Sequence, residues 1–223
     1  MLFRSQSKFQ SDFESSLQID SPHNSSQHQA LNLQPILKFR DSLGFPYFLF
    51  VGTLEPRKNI LTLIRAFEIL KQHDRIPHHL VLIGKKGWKY HAILEAIETS
   101  PVRDQIHQLD YLADDQVAQF YQAATLFWYL SYYEGFGLPV LEAMTFGVPV
   151  ITSNRSSLPE VTAGSAILID PDDLEGLVEA TRSLLGDGAY YARLSTEGQA
   201  RSRLFSWQNT ALKTLEAYHH LLI

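Results

Sequence analysis

The sequence predicts a doubly wound α/β fold, in which a parallel sheet is covered by helices on both faces. From Tyr47 onward, short apolar runs alternate with segments of helical periodicity, and most of the runs are apolar throughout rather than at every second position. Glycine follows the first two runs, at Gly52 and Gly84. Continuous apolar strands are typical of a parallel sheet that is buried on both faces. Ligands of such sheets bind at the carboxyl ends of the strands.

Six strands are predicted, each from a short run that is rich in aliphatic, aromatic or β-branched residues. In chain order they are Tyr47–Val51, Leu80–Ile83, Ile106–Leu109, Leu126–Tyr129, Val148–Ile151 and Ala166–Ile169.

Helices are predicted between the strands, where the apolar residues take helical spacing. Acidic residues at the start of two helices complement the helix dipole, and proline suits the first position of another. The helices are Ile60–Leu70, Tyr90–Ile97, Asp114–Ala124, Pro139–Phe146 and Leu174–Leu185, and the pattern is then helical to Ile223.

Composition and charge narrow the classes of protein to which the chain can belong. Its net charge of −5 over 223 residues argues against a nucleic-acid binder, which would usually carry a basic face. Without cysteine, the chain can form no disulfide, thiolate zinc site or cysteine nucleophile. No apolar run is long enough to span a bilayer and no signal-peptide pattern occurs, so a cytoplasmic protein is expected.

The chain divides into two parts by composition. Residues 1–30 are crowded with Ser, Gln, Asn and His and have few apolar residues, which is typical of a flexible leader. Residues 31–223 are expected to form one domain, because 45% hydrophobic residues over this length suffice for a single substantial core.

The segment 133–149 carries the strongest signal of chemistry. Glu134 and Glu142 bracket a Gly-Phe-Gly turn that leads into a helix beginning at Pro139, so that Glu142 is expected in the first helical turn. Glycines allow close approach of a ligand, and the free N–H groups and dipole at a helix start attract anions. The alternative is a loop followed by a packed amphipathic helix. The residues expected to line the anion site are Gly135, Phe136, Gly137 and Leu138.

This segment resembles the E-x7-E signature of retaining, family-4-type glycosyltransferases with the GT-B fold. The resemblance extends from about Leu31 to the C-terminus, and it implies a Rossmann-like domain that is the C-terminal, donor-binding half of such an enzyme. The implied reaction transfers a hexosyl group from a UDP- or GDP-linked sugar with retention at the anomeric carbon, in polysaccharide or glycoconjugate synthesis. The resemblance implies that Glu134 is catalytic, in contact with sugar hydroxyls or donor phosphates, and that Glu142 accepts hydrogen bonds from the ribose.

No metal or other cofactor is expected. Enzymes of the GT-B fold in general use side chains and helix dipoles in place of a divalent cation, and the sequence has no Asp-x-Asp pair in a position to hold one.

The loop after the first strand carries a second candidate set. Gly52 would let a pyrophosphate approach, and the resemblance implies that Arg57 and Lys58 contact the diphosphate. Thr53 stands where similar proteins commonly have an arginine. The alternative for this loop is a basic turn that starts a helix with Asn59 as its N-cap.

The loops after the second and third strands complete the candidate pocket. Gly84 is expected to line it, although a solvated basic loop with Trp88 on the surface is an equally open interpretation. The resemblance implies that the backbone at Tyr111 and Leu112 pairs with the edge of the nucleotide base. The alternative is that Tyr111 is a half-buried packing residue.

The resemblance covers only half of a two-domain enzyme. Acceptor binding would then come from a separate domain or subunit, and the last helix resembles the one that crosses back onto that domain, which would leave Leu215, Tyr218 and Leu222 exposed or covered by a partner. The alternative function is a truncated or degenerate nucleotide-binding module without transferase activity in isolation.

Overall fold

A computed structural model describes residues 43–221 of the chain. The leader expected over residues 1–30 and the start of the domain at residue 31 lie outside the described residues. Strands and helices alternate along the described part, as the sequence predicts. The strands are β1 Tyr47–Val51, β2 His79–Ile83, β3 Ile106–Leu109, β4 Leu126–Tyr129, β5 Val150–Ser153 and β6 Ile167–Ile169.

These six strands form a parallel sheet in the order β3-β2-β1-β4-β5-β6. The doubly wound fold is therefore confirmed. All of β4 and the first four residues of β1 are buried, because helices cover the sheet on both faces. At the centre of the sheet, the Trp128 ring packs on Phe48 with the ring centroids 4.6 Å apart.

The described part has eight α-helices, of which the last is exposed throughout residues 207–220 and does not pack on the sheet. They are α1 Ile60–Ile69, α2 His91–Thr99, α3 Asp114–Ala123, α4 Leu138–Thr145, α5 Leu158–Thr162, α6 Leu174–Gly186, α7 Gly188–Ser202 and α8 Trp207–Leu221. None of them combines the length and the apolar composition that crossing a bilayer would need.

Several element boundaries differ from the prediction. β5 begins two residues late because the Val148 N–H donates to the Ala143 carbonyl, which closes the end of α4 and delays the strand. A π-helical turn, Leu70–Asp74, extends α1 beyond its predicted end. The sequence did not predict α5. The helical remainder after α6 is divided into α7 and α8 at residues 203–206, and the Asp187 carboxylate caps the start of α7 by accepting from the N–H groups of Ala189 and Tyr190.

The strand order reverses between β1 and β4. From β1 the chain winds outward through β2 and β3, and from β4 it winds the other way through β5 and β6. The chain therefore leaves β1 and β4 in opposite directions along the sheet. A crevice lies between the two connections at the carboxyl edge, where ligands of such folds bind.

The amino edge of the sheet is closed by stacked rings. His79 Nδ1 lies 2.8 Å from His107 Nε2, and the Phe45 ring is stacked on both imidazoles. Burial is the main cause that lowers the pKa of each histidine to about 4, and at His79 the charge of Lys71 contributes to this value. Both rings are therefore neutral at pH 7 and act as packing groups at the edge opposite the crevice.

Candidate functional site

Two loops meet in the crevice between β1 and β4. One spans residues 52–59 and the other spans residues 130–137. The Tyr132 N–H donates to the Arg57 carbonyl at 2.9 Å, and the Arg57 guanidinium donates to the Tyr133 carbonyl. These bonds hold the predicted diphosphate loop against the Gly-Phe-Gly segment.

The same two loops join three predicted residues into an ion cluster. Lys58 Nζ lies 2.7 Å from Glu134 Oε1, and Arg57 Nη1 lies 3.1 Å from Glu134 Oε2. Lys58 also donates to the Tyr129 hydroxyl at the end of β4, and Glu55 pairs with Arg57 at 2.6 Å. We call these five residues the Glu134 cluster.

Glu134 is ionised at neutral pH in spite of being only 8% exposed. Burial by itself would raise the pKa of Glu134, but the hydrogen bond from Lys58 and the charges of Lys58 and Arg57 outweigh it and leave this pKa below its ordinary value. Burial and the Glu134 charge raise the pKa of Tyr129, so its phenol stays protonated. Glu134 can therefore act as an anion or a hydrogen-bond acceptor, and not as a proton donor.

The charges of the Glu134 cluster balance. Its two cations face two carboxylates, so an anionic ligand must share Lys58 and Arg57 with Glu134 and Glu55. Additional positive potential comes from the backbone N–H groups and the dipole at the start of α4.

The two glycines of the Gly-Phe-Gly turn have different surroundings. Gly137 has φ +100°, and a Cβ atom there would lie 2.6 Å from Leu158 Cδ2, so folding itself requires glycine. At Gly135, no atom of the described chain lies within 4 Å of an added Cβ, and φ lies outside the left-handed range. Open space therefore faces Gly135, and packing does not explain this glycine.

The backbone of the turn is held from one side and open on the other. Ser156 Oγ accepts from the Glu134 N–H at 2.9 Å, while Ser157 Oγ lies within donating distance of the Glu134 and Phe136 carbonyls, at 3.0 and 2.9 Å. Among the bonds within residues 43–221, none uses the N–H groups of Gly135 and Phe136. Both residues are exposed, so these donors can serve a ligand.

Glu142 lies one residue further from the start of α4 than predicted. The helix begins at Leu138, with Gly137 in its N-cap position and Pro139 as its second residue, so Glu142 is the fifth residue and belongs to the second turn. The prediction of a helix start at Pro139 was wrong because the left-handed Gly137 allows the helix to begin one residue earlier.

A tyrosine orients the Glu142 carboxylate. The Tyr121 hydroxyl on α3 donates to Glu142 Oε2 at 2.9 Å, and burial followed by the Glu142 charge raises the pKa of Tyr121. The Glu142 side chain is otherwise exposed, and no hydrogen bond or ion pair within the described residues links it to Glu134.

Gly52 and Gly84 lie together at the ends of β1 and β2. A Cβ on Gly84 would come within 2.0 Å of the Gly52 carbonyl oxygen, so the backbones themselves require a glycine there. A Cβ on Gly52 would lie 3.2 Å from the Phe50 ring and 3.7 Å from Lys58 Cε. Gly52 thus borders the Glu134 cluster, and Gly84 has a packing role whatever it binds.

The predicted base-binding residues lie beyond Gly84 at the end of β3. Tyr111 is 64% exposed, which rules out the alternative of a half-buried packing residue, and Lys85 Nζ lies 4.6 Å from the centre of its ring. Leu112 packs partly against the core. Trp88 is also exposed, as the surface-loop interpretation expected, and Lys89 Nζ lies over its ring.

Sequence reasoning missed the partners that orient the predicted residues. Tyr129 and Tyr121 belong to a predicted strand and a predicted helix, and no local signal marks their hydroxyls as partners of carboxylates. Ser156 and Ser157 are not among the predicted site residues. Asn59 occupies the predicted N-cap position of α1, but its side chain donates to the Pro171 carbonyl at 2.7 Å and makes no capping bond.

Residues 43–221 contain no group of three or more His, Asp or Glu side chains placed to hold a metal ion. The donors at the crevice are instead cationic side chains and backbone N–H groups.

The model of the family described as glycosyl transferases group 1 matches residues 37–201. The chain belongs to this family. This group 1 glycosyltransferase chain is 38% identical over 184 residues to the O-antigen chain mannosyltransferase B of Escherichia coli. That match covers 82% of this chain and 48% of the relative. The chain spans half the length, or less, of the curated relatives that it matches.

Solved structures extend the likeness to the fold of the group 1 glycosyltransferase chain. Sucrose-phosphate synthase from Thermosynechococcus elongatus superposes with a TM-score of 0.71 at 29% identity, covering 82% of this chain and 48% of that one. Anabaena Alr3699/HepE in complex with UDP-glucose gives 0.70 at 23% identity, covering 82% of this chain and 52% of that one. The predicted family and the Rossmann-like half of a GT-B fold are thereby confirmed.

Proposed function

We propose that this chain is the donor-binding half of a retaining glycosyltransferase that takes a hexosyl group from a nucleotide sugar. The observation that carries the proposal is the open space at Gly135, which is bordered by unused N–H donors and stands beside the Glu134 cluster. A site made for packing would have no need of that glycine, whereas a diphosphate needs close backbone approach.

The diphosphate would lie against the start of α4. The N–H groups of Gly135 and Phe136 and the helix dipole would bind its oxygens, and Lys58 and Arg57 would supply charge-assisted hydrogen bonds. The same donors would stabilise the charge that develops on the nucleoside diphosphate as it leaves. This preorganised arrangement is the electrostatic part of the transferase step.

Glu134 and Glu142 would bind different parts of the donor. Because Glu134 is ionised, it would accept hydrogen bonds from sugar hydroxyls while it fixes the two cations for the phosphates. Glu142, oriented by Tyr121, would accept hydrogen bonds from the ribose hydroxyls. Retention at the anomeric carbon rests on the resemblance of this segment to retaining enzymes.

The base would lie at the end of β3. Tyr111 and Leu112 would contact its edge through their backbone, with Gly52 and Gly84 forming the floor between base and diphosphate. We propose a UDP- or GDP-linked donor without a metal or other cofactor, since the cations of the crevice can take the place of one.

One relative supports a choice of the first sugar and the biosynthetic setting to test. Because a mannosyltransferase of O-antigen chains is 38% identical, mannose is the first sugar to test, and polysaccharide or glycoconjugate synthesis in the cytoplasm is the proposed setting. Acceptor binding would come from a second domain or subunit. Leu212, Leu215 and Tyr218 on α8 are exposed, which suits contact with such a partner.

Isothermal titration calorimetry with GDP-mannose, UDP-glucose and the free nucleotides tests the donor site. Binding of one nucleotide class is expected, and Glu142→Ala should weaken it about 10-fold or more, because charge-assisted hydrogen bonds to the ribose are lost. Glu95→Ala is the matched control, since Glu95 is an exposed carboxylate on α2 in no ion pair within residues 43–221.

Two results would contradict the proposal. Unchanged affinity in Glu142→Ala would remove its ribose role, and absence of binding by every nucleotide would leave only a degenerate module.

A further inference from the structure

The connection between α7 and α8 touches the Gly-Phe-Gly turn. Phe205, in this connection, meets the ring of Phe136 edge to face, with the ring centroids 5.7 Å apart and the planes at 84°. Phe136 is otherwise exposed, so Phe205 gives the turn a packing contact on its solvent side. Edge-to-face contacts of this kind are attractive and fix the relative orientation of two rings.

Arg201 holds Phe205 in place. Its guanidinium carbon lies 4.8 Å from the centre of the Phe205 ring, a cation–π contact. The same guanidinium donates to the Val161 carbonyl at 2.9 Å and to the Glu160 carbonyl at 2.8 Å. Arg201 therefore ties the ring to the end of α5.

The start of α5 holds the turn from the other side. Ser157 contacts the Glu134 and Phe136 carbonyls, and the Leu158 side chain fills the space beside Gly137. The contacts form a closed circuit that runs from Phe136 through Phe205 and Arg201 to α5 and back to Phe136. We call this circuit the Phe205 bracket.

We infer that Phe205 is a positioning residue, which fixes the turn at Gly135–Leu138 in the geometry that presents its N–H groups to the donor phosphates. Phe205 itself touches no donor in this arrangement and acts through Phe136. This inference rests on the proposed function in one respect, namely the ligand that the turn receives.

The bracket matters because Gly135 has little else to hold it. No atom of the described residues lies close to the missing Cβ of Gly135, and the N–H groups of Gly135 and Phe136 make no bond within residues 43–221. Without the Phe205 ring, the contacts of Phe136 described for residues 43–221 would be reduced to the hydrogen bond between Ser157 and the Phe136 carbonyl. The turn would then sample more conformations, and a ligand would have to select the competent one.

The test compares three variants of the full 223-residue chain. Phe205→Leu keeps apolar volume and removes the ring, Phe205→Tyr keeps the ring, and Trp207→Leu makes the same change of type at an exposed aromatic residue on α8. Two readouts are taken: NMR order parameters of the backbone amides at residues 135–138, and affinity for GDP and UDP by calorimetry.

Phe205→Leu is expected to lower the order parameters at residues 135–138 from about 0.85, the value of a rigid backbone, toward about 0.6. It should also weaken nucleotide binding about 2- to 10-fold, the range set by loss of an aromatic pair. Order parameters in the strands should not change. Phe205→Tyr and Trp207→Leu should resemble the unaltered chain in both readouts.

Three results would overturn the inference. They are unchanged order parameters at residues 135–138 in Phe205→Leu, an equal fall throughout the sheet, which indicates general destabilisation, and failure of Phe205→Tyr to keep the turn rigid. If no nucleotide binds the unaltered chain, the proposed function fails, while the order parameters still decide whether Phe205 positions the turn.

Discussion

Glu134 and Glu142 are carboxylates eight positions apart in one segment, yet the regions around them are built differently. Glu134 is buried, with a protein cation on each oxygen, and its neighbours come from two loops and from the end of β4. Glu142 is exposed on α4, and its carboxylate is held by a single neutral donor, Tyr121.

The two carboxylates therefore have different roles, one mainly in stability and the other mainly in binding. Glu134 acts first on the protein, because removing it would leave the buried Lys58 without its counter-charge, while Arg57 would keep Glu55. Glu142 can exchange water for a ligand at little cost to the fold. We therefore expect changes around Glu134 to affect stability strongly, and changes around Glu142 to affect mainly binding.

Removing the partner of each carboxylate should show the largest contrast. Lys58→Met is expected to lower the free energy of unfolding by about 3 kcal/mol, because it breaks a buried ion pair and leaves Glu134 with Arg57 alone. Tyr121→Phe should cost about 1 kcal/mol, since water can solvate the exposed Glu142. Urea denaturation, with midpoint and slope both fitted, measures the two losses.

Lys86→Met provides the control for the lysine change. Lys86 is exposed and belongs to no ion pair of the described residues, so its replacement should stay within about 0.5 kcal/mol. Equal losses in Lys58→Met and Lys86→Met would mean that the Glu134 cluster is no more than a solvated surface group.

The two glycines between these carboxylates should give a smaller contrast of the same kind. Gly137→Ala is expected to lower the free energy of unfolding by about 2 kcal/mol, through strain at φ +100° and contact with Leu158. Gly135→Ala should change it by no more than about 0.5 kcal/mol and yet weaken nucleotide binding, because the methyl group enters the ligand space. A stable Gly135→Ala variant with full affinity would show that the open space is not the phosphate site.

The smallest expected effect is the loss at acid pH of the stability that Glu134 contributes. The pKa of Glu134 is lowered in the folded state, so its stabilisation is complete above the unfolded value of about 4.3 and is lost as the pH falls through the folded pKa. The stability advantage of the unaltered chain over Glu134→Gln should therefore narrow below about pH 4.3, by about 1 kcal/mol per unit of lowered pKa.

The histidine pair at the amino edge does not confuse this comparison. His79 and His107 are present in both chains, so their loss of stabilisation between about pH 6.5 and pH 4 cancels in the difference. A difference that stays constant down to pH 2.5, measured by urea unfolding, would contradict the lowered pKa of Glu134.

The elements of the fold could be predicted from the sequence where local patterns mark them. The boundaries of β1, β3 and β4 agree with the prediction residue for residue, because each of these strand-forming runs begins directly after a proline or a polar residue. β5 was displaced, since the bond from Val148 that ends α4 leaves no trace in composition. α5 has only five residues, too few to show a helical period.

The residues of the candidate site could be predicted from the sequence, but their arrangement in space could not. Glycines and carboxylates marked the signature, and a basic pair marked Arg57 and Lys58. Their pairing with Glu134 spans 76 positions, and no local pattern encodes contacts of that range. Tyr129 was read as an apolar strand residue because only three-dimensional proximity gives its hydroxyl a partner. The ligand roles of all these residues stay predictions.

The adjacency of β1 and β4 at the centre of the sheet has a consequence for folding kinetics. Lys58 and Glu134 can meet only after about 75 residues of intervening chain, including β2 and β3, have closed into a loop. Closures of this length are slow compared with local helix formation, so the cluster belongs to a late stage of assembly. A chain that has paired only β1, β2 and β3 contains both cations and Glu55 but lacks Glu134, and the ability to bind nucleotide would arise when the two halves of the sheet join.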